Sequence, residues 1–277
     1  MPSFNFHQVD VFTSQPLRGN PLAVVVGADM LTDAQMAAFA HWTNLSETTF
    51  LLPPVADAAD YRVRIFSPQR ELPFAGHPTL GTCHVWLGVA APGGDEIIQE
   101  CGIGLVRIRR KDDYLYFAAP KLLRAGTVEP DVLERATRGL GLTAHDIIAS
   151  AWVDNGPGWM AVLLQSRAAV MSTRPDYTVL AGLRVGIAGA WDRNTDGADA
   201  QFEVRAFTAG GYEDPVTGSL NAGLAQWLIG SGMAPARYVA SQGSALGRAG
   251  RVHVEMQGPD IWVGGAVTSC IRGTVTL

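Results

Sequence analysis

Val63-Arg64-Ile65-Phe66-Ser67 returns as Val204-Arg205-Ala206-Phe207-Thr208, 141 residues further on (63 to 204). Both runs alternate polar and apolar residues as strands do. A Gly/Pro-rich turn follows each. The first turn reads Glu71-Leu72-Pro73-Phe74-Ala75-Gly76-His77-Pro78-Thr79-Leu80-Gly81-Thr82, and the second reads Glu213-Asp214-Pro215-Val216-Thr217-Gly218-Ser219. A mostly apolar helix comes next in each case, Pro78 to about Val89 and Gly218–Ile229. The same offset carries Trp86 onto Trp227 and Leu87 onto Leu228. Agreement at the strand and again at the helix indicates an internal duplication. Two similar domains are expected, with a ligand-sized cleft between them. A helix that is apolar on all sides is a buried helix, so each is expected inside its domain.

Outward from these units the chain reads as many short strands with few helices, an α+β pattern. Strands are expected at Phe4–Phe12, Leu22–Val26, Thr48–Leu52 and Tyr61–Phe66, then from Ile97 to Ala118. Others are expected around Ile148–Val153, Trp159–Leu164 and Phe202–Phe207, and from Tyr238 to the end. Thr32-Asp33-Ala34-Gln35 is a capping-box pattern, and it predicts a helix to about Trp42. Pro130–Leu140 reads as helix, and Pro120 to Val128 as a crossing between domains.

Composition excludes several classes. Of 277 residues 47% are hydrophobic and 17% charged, enough apolar material for a sizeable core. The net charge of −5, without a basic face, argues against nucleic acid and an anionic membrane as partners. Three widely spaced cysteines, Cys83, Cys101 and Cys270, suggest neither a disulfide framework nor a zinc site. The N-terminal run lacks the basic and apolar regions of a signal peptide, so a cytoplasmic protein is expected. No dinucleotide or phosphate-loop glycine motif is present, and no Gly-x-Ser-x-Gly elbow.

The two turns are where chemistry is expected. Glycine allows close approach of backbone to a ligand. A helix N-terminus offers unpaired N–H groups to a carboxylate or a developing oxyanion. The plainer reading makes Asp214 an N-cap and His77 a turn histidine. Glu47, in Asn44-Leu45-Ser46-Glu47-Thr48-Thr49-Phe50, starts a strand. Among apolar neighbours its carboxylate would be desolvated toward the range of a general base. The plainer reading is a glutamate on a solvent face.

The chain resembles the PhzF-like isomerases of phenazine biosynthesis along essentially its whole length. The resemblance rests on Arg18-Gly19-Asn20-Pro21-Leu22-Ala23-Val24-Val25, the Glu47 segment, Glu71 through Thr82, Asn155-Gly156-Pro157, Glu213 through Ser219, and Arg272 through Leu277. It implies the diaminopimelate-epimerase fold, two similar domains that each curl a mixed, barrel-like sheet around a central helix. Domain bounds of 1–120 with about 270–277, and 121–269, follow from it. It implies that Glu47 is the acid–base residue, with His77 and Asp214 beside it and Gly76, Gly218 and Ser219 binding substrate. It further implies a homodimer that needs neither cofactor nor metal and moves a proton on a small amino or hydroxy acid. In the family's best understood member that acid is trans-2,3-dihydro-3-hydroxyanthranilate. Two departures stand out. The related racemases place cysteines at the positions of Gly76 and Asp214, which disfavours a two-thiol mechanism here. Gly247-Arg248-Ala249-Gly250 stands where the family often has Gly-Arg-Pro-Ser. A racemase, epimerase or dehydratase on the same fold, or a non-catalytic binder, are the alternatives.

Overall fold

A computed structural model describes residues 2–90 and 94–277. In chain order the first elements are β1 (Ser3–Val11), β2 (Asn20–Val26), α1 (Asp33–Thr43), β3 (Glu47–Leu52), β4 (Tyr61–Phe66), β5 (Glu71–Leu72), α2 (Gly76–Ala90), β6 (Glu96–Cys101), β7 (Gly104–Lys111) and β8 (Tyr114–Ala118). There follow β9 (Arg124–Gly126), α3 (Pro130–Gly139), β10 (Ile147–Asp154), β11 (Trp159–Leu164), α4 (Arg167–Ser172), α5 (Tyr177–Leu180) and β12 (Arg184–Ala190). The last are β13 (Phe202–Phe207), β14 (Glu213–Asp214), α6 (Gly218–Gly230), β15 (Arg237–Gln242), β16 (Gly250–Gln257), β17 (Asp260–Gly265) and β18 (Val267–Thr276). The chain divides into two compact units, Met1–Ala118 with Gly264–Leu277, and Ala119–Val263.

Each unit is a mixed sheet, and the two share one pairing scheme. In the first, β1–β2 is antiparallel, β2–β3 parallel, β3–β4 antiparallel, β4–β6 parallel and β6–β7 antiparallel. In the second, β10–β11, β11–β12, β12–β13, β13–β15 and β15–β16 repeat that order. The register repeats too: Phe66 faces Glu71 and Phe207 faces Glu213. Arg64 donates through Nε and Nη2 to the two oxygens of Glu71, and Arg205 does the same to Glu213. Helix α2 packs against β1, β2, β3, β4, β8 and β18, and α6 against β10, β11 and β16. Both are the buried helices that their all-round apolar sequences demand.

Local chemistry sets the elements that carry the site. The Thr32 capping box forms as expected: its hydroxyl accepts from Gln35 N–H at 3.3 Å and Gln35 Oε1 from Thr32 N–H at 3.0 Å. At the far end of α1, Asn44 takes a left-handed conformation (φ 54°), which turns the chain directly into β3. Helix α2 begins at Gly76, two residues before the sequence predicts. Pro78 sits within the first turn, where its missing N–H costs nothing, and Thr79 N–H makes a helical bond to Ala75 O at 3.1 Å.

The short strands β5, β9 and β14, and α4, α5 and β12, have no counterpart in the sequence reading. Strand β12, Arg-Val-Gly-Ile-Ala-Gly-Ala, is poor in strand-forming residues. Packing requires its glycines, since a Cβ on Gly186 would lie 2.4 Å from Leu220 and one on Gly189 2.4 Å from Ser166 O. Among the described residues no helix is long and apolar enough to cross a membrane.

Candidate active site

In the first unit, β3 and α2 bring Glu47 and His77 together. Thr82 in α2 donates to Thr49 Oγ1 in β3 at 2.8 Å, and Thr49 donates on to Ala23 O at 3.3 Å. This tie fixes β3 against the helix two residues beyond Glu47. His77 is the second residue of α2 and is buried, 4% exposed. Burial pushes its imidazole pKa down to about 3, so the ring is neutral and carries one N–H.

Asn20 decides which nitrogen holds that proton. Its side-chain amide lies 3.4 Å from His77 Nδ1 and donates to it. The proton is therefore on Nε2, which lies 3.4 Å from Glu47 Oε2. The approach falls short of a hydrogen bond in geometry, and with a neutral ring it is not an ion pair. It is a neutral N–H beside a carboxylate whose side chain stays 18% exposed. Asn20 itself is held by a tight preceding turn. Gly19 N–H donates to the buried Asp10 at 2.9 Å, and a Cβ on Gly19 would clash with Val11 O at 2.2 Å.

In the second unit Asp214 ends β14. It is not the N-cap of α6 that the plainer reading of the turn makes it. Thr217 takes that position, and its hydroxyl donates to Asp214 Oδ2 at 2.5 Å instead of capping the helix. Gln242 anchors the arrangement. Its amide donates to Thr217 Oγ1 (3.0 Å) and Asp214 O (3.2 Å), and its carbonyl accepts from Thr217 N–H (3.0 Å) and Asn221 (2.8 Å). Ser219 is the second residue of α6. Its Oγ accepts from Trp159 Nε1 at 3.0 Å and its backbone carbonyl from Asn155 at 2.9 Å. Gly76 and Gly218 are the buried first residues of α2 and α6.

Asn20, Asn155, Trp159, Thr217 and Gln242 are the positioning residues that sequence reading left without a role. Asn20 and Asn155 lie in segments that the resemblance had already marked. Gln242 carries no local signal, because its partners are about 25 residues away in the chain. His84 is half-buried and pairs with Ser269 Oγ at 3.0 Å. Cys83 is buried in α2, and burial pushes its thiol up to about 12, leaving it no thiolate character. Among the described residues no group of three or more histidine, cysteine or carboxylate side chains is placed to hold a metal ion.

A model of the phenazine biosynthesis-like protein family, PhzC-PhzF, matches residues 9–272. The chain belongs to this family. It is 35% identical to Antisense-enhancing sequence 1 of Schizosaccharomyces pombe, with 99% of each chain covered. It is 31% identical to an uncharacterized isomerase of Pasteurella multocida, covering 95% of this chain and 91% of that one. Among solved structures, a PhzF-family phenazine biosynthesis protein of Enterococcus faecalis superimposes with a TM-score of 0.83 at 26% identity, over 100% of both chains. The fold of the family is the diaminopimelate-epimerase-like one, and the repeated mixed sheets around α2 and α6 are its two halves.

Proposed function

We propose that this chain is a cofactor-independent isomerase that moves a proton on a small amino or hydroxy acid. Glu47 is its acid–base residue. The observation that carries the reading is the buried, neutral His77, whose Nε2 lies 3.4 Å from a still accessible Glu47 carboxylate. A relative with 31% identity is named an isomerase, which agrees with it.

In this mechanism the Glu47 carboxylate removes a proton from one carbon and returns it to another carbon of the same bound molecule. One carboxyl group can serve both carbons if the substrate is a small ring, as in trans-2,3-dihydro-3-hydroxyanthranilate. Nε2–H of His77 steadies the carboxylate or a substrate oxygen without changing charge. Asp214, held rigid by Thr217, orients a substrate amine or hydroxyl. Ser219 and the backbone at Gly76 and Gly218 receive the anionic part of the molecule.

The test is exchange of substrate carbon-bound hydrogen in D₂O across a panel of 2-amino and 2-hydroxy acids. Glu47→Gln lowers exchange by about 10²- to 10⁴-fold, the usual contribution of a general acid–base group. Exchange that survives this substitution unchanged assigns the proton transfer elsewhere.

A further inference from the structure

Arg184 opens β12, and its place in the repeat is that of Glu47 in β3. Parallel pairing sets Leu22 opposite Glu47 in one unit and Trp159 opposite Arg184 in the other. On the other flank Thr48 faces Phe66 and Val185 faces Phe207, and these phenylalanines are repeat equivalents. Glu47 and Arg184 each stand one residue before that pair. They also share a face. Two residues beyond Glu47, Thr49 accepts from α2. Two residues beyond Arg184, Gly186 lies against Leu220 of α6. Alternation along a strand therefore directs Arg184 to the α6 side, as it directs Glu47 to the α2 side. Ser219 in α6 and His77 in α2 are each the second residue of their helix.

Among the described residues, the guanidinium of Arg184 and the hydroxyl of Ser219 have no protein acceptor at this end of the second unit. Arg184 is half-buried, yet among the described residues its guanidinium makes no hydrogen bond or ion pair. The half-buried Arg64, Arg167 and Arg251 all donate to protein groups, whereas Arg62, in the first unit and remote from any candidate residue in sequence, shares the unpaired state through its buried Nε. An Nη of Arg184 passes 3.9 Å from where a Cβ on Gly158 would sit, beside Trp159. Trp159 in turn occupies an acceptor site of the Ser219 hydroxyl, and among the described residues no group takes that hydroxyl's own proton. A planar cation and a hydroxyl donor, neither committed to protein, match an anion. The guanidinium fork matches a carboxylate best.

We propose that Arg184 reads a carboxylate of the substrate, with Ser219 donating to the same group. This rests on the functional reading above only in taking Ser219 as substrate-binding. It deepens that reading by giving the substrate's carboxylate a second, cationic reader, and makes Arg184 a specificity-determining residue.

The test is calorimetric titration of the full chain with benzoate, cyclohexanecarboxylate and pyrrole-2-carboxylate, each beside its primary amide. At least one acid is expected to bind about tenfold or more tightly than its amide. Arg184→Gln removes that preference and Arg184→Lys keeps part of it. Glu47 is read by hydrogen exchange in D₂O and Arg184 by the acid-over-amide preference in binding, so a failure of Glu47 as base and a failure of Arg184 as reader give different results. Amides that bind as well as acids, no binding by any acid, or a preference that persists in Arg184→Gln overturns the proposal. Should Arg184→Gln fail to fold, phenylglyoxal labelling of the wild-type chain decides, read by peptide mass spectrometry. Labelling of Arg184 that the tightest-binding acid blocks supports the assignment, and labelling it does not block overturns it.

Discussion

A neutral imidazole has one proton and two nitrogens, so His77 can serve a carboxylate only if something holds the tautomer. Asn20 does this by donating to Nδ1. Replacing Asn20 with Leu removes that donor from a buried site, at about 1–3 kcal/mol of stability. The outcome specific to positioning is spectroscopic. ¹⁵N NMR of the wild-type chain shows a protonated Nε2 and a bare Nδ1 on His77, and Asn20→Leu populates both tautomers. A bare Nε2 in the wild-type chain would contradict the arrangement. Sequence reading reached His77 and Glu47 through motif position. It could not reach the tautomer, which depends on an amide 57 residues away in the chain.

At the scale of elements, Arg64-Glu71 and Arg205-Glu213 look alike in sequence and in geometry. Each guanidinium also lies over a phenylalanine ring, at 5.2 Å from Phe66 and 5.0 Å from Phe207. Their surroundings differ. Side-chain exposures are 23% and 43% for the first pair but 6% and 5% for the second. In the second unit α4 and its C-terminal turn cover the arginine, which also donates to Val170 O at 3.1 Å and Thr173 O at 2.8 Å. Glu71→Gln is expected to cost about 0–1 kcal/mol, as exposed pairs do. Glu213→Gln leaves a buried cation uncompensated and is expected to cost about 3–5 kcal/mol. Urea unfolding of the two variants checks this, and equal costs would refute it. The contrast also marks where sequence ran out. Strands rich in β-branched and aromatic residues, such as β4 and β13, were legible from their own pattern. Helix α4 and strand β12, built from small residues, take their conformation from neighbours, so the cover they provide had no sequence signal.

Across the whole molecule the duplication repeats the frame but not the polar residues set in it. Equivalent strand positions hold Glu47 in one unit and Arg184 in the other, and the second residues of the two buried helices are His77 and Ser219. One consequence is a pH-dependent stability. Among the described residues His7, His77, His84 and His253 are all held below the ordinary histidine value, each first by burial, and His77 lies at about 3. For such a group the unfolded chain binds its proton near pH 6.5 while the folded chain refuses it. Its stabilisation is complete above pH 6.5 and is lost as pH falls toward the folded value. For His77 the loss runs at about 1.4 kcal/mol per pH unit once the unfolded histidine is protonated, and continues to about pH 3. The carboxylates held below their ordinary values by hydrogen-bond donors, Glu100, Glu129 and Asp146, weaken the fold only below the ordinary carboxylate range. The window between about pH 5 and 6.5 therefore reports the histidines. Urea midpoints are expected to fall across it, and His77→Gln, which cannot take up a proton, flattens the fall. A variant whose midpoints track those of the wild-type chain throughout would mean that His77 is protonated in the folded state, and the neutral-donor role drawn for it beside Glu47 would fail.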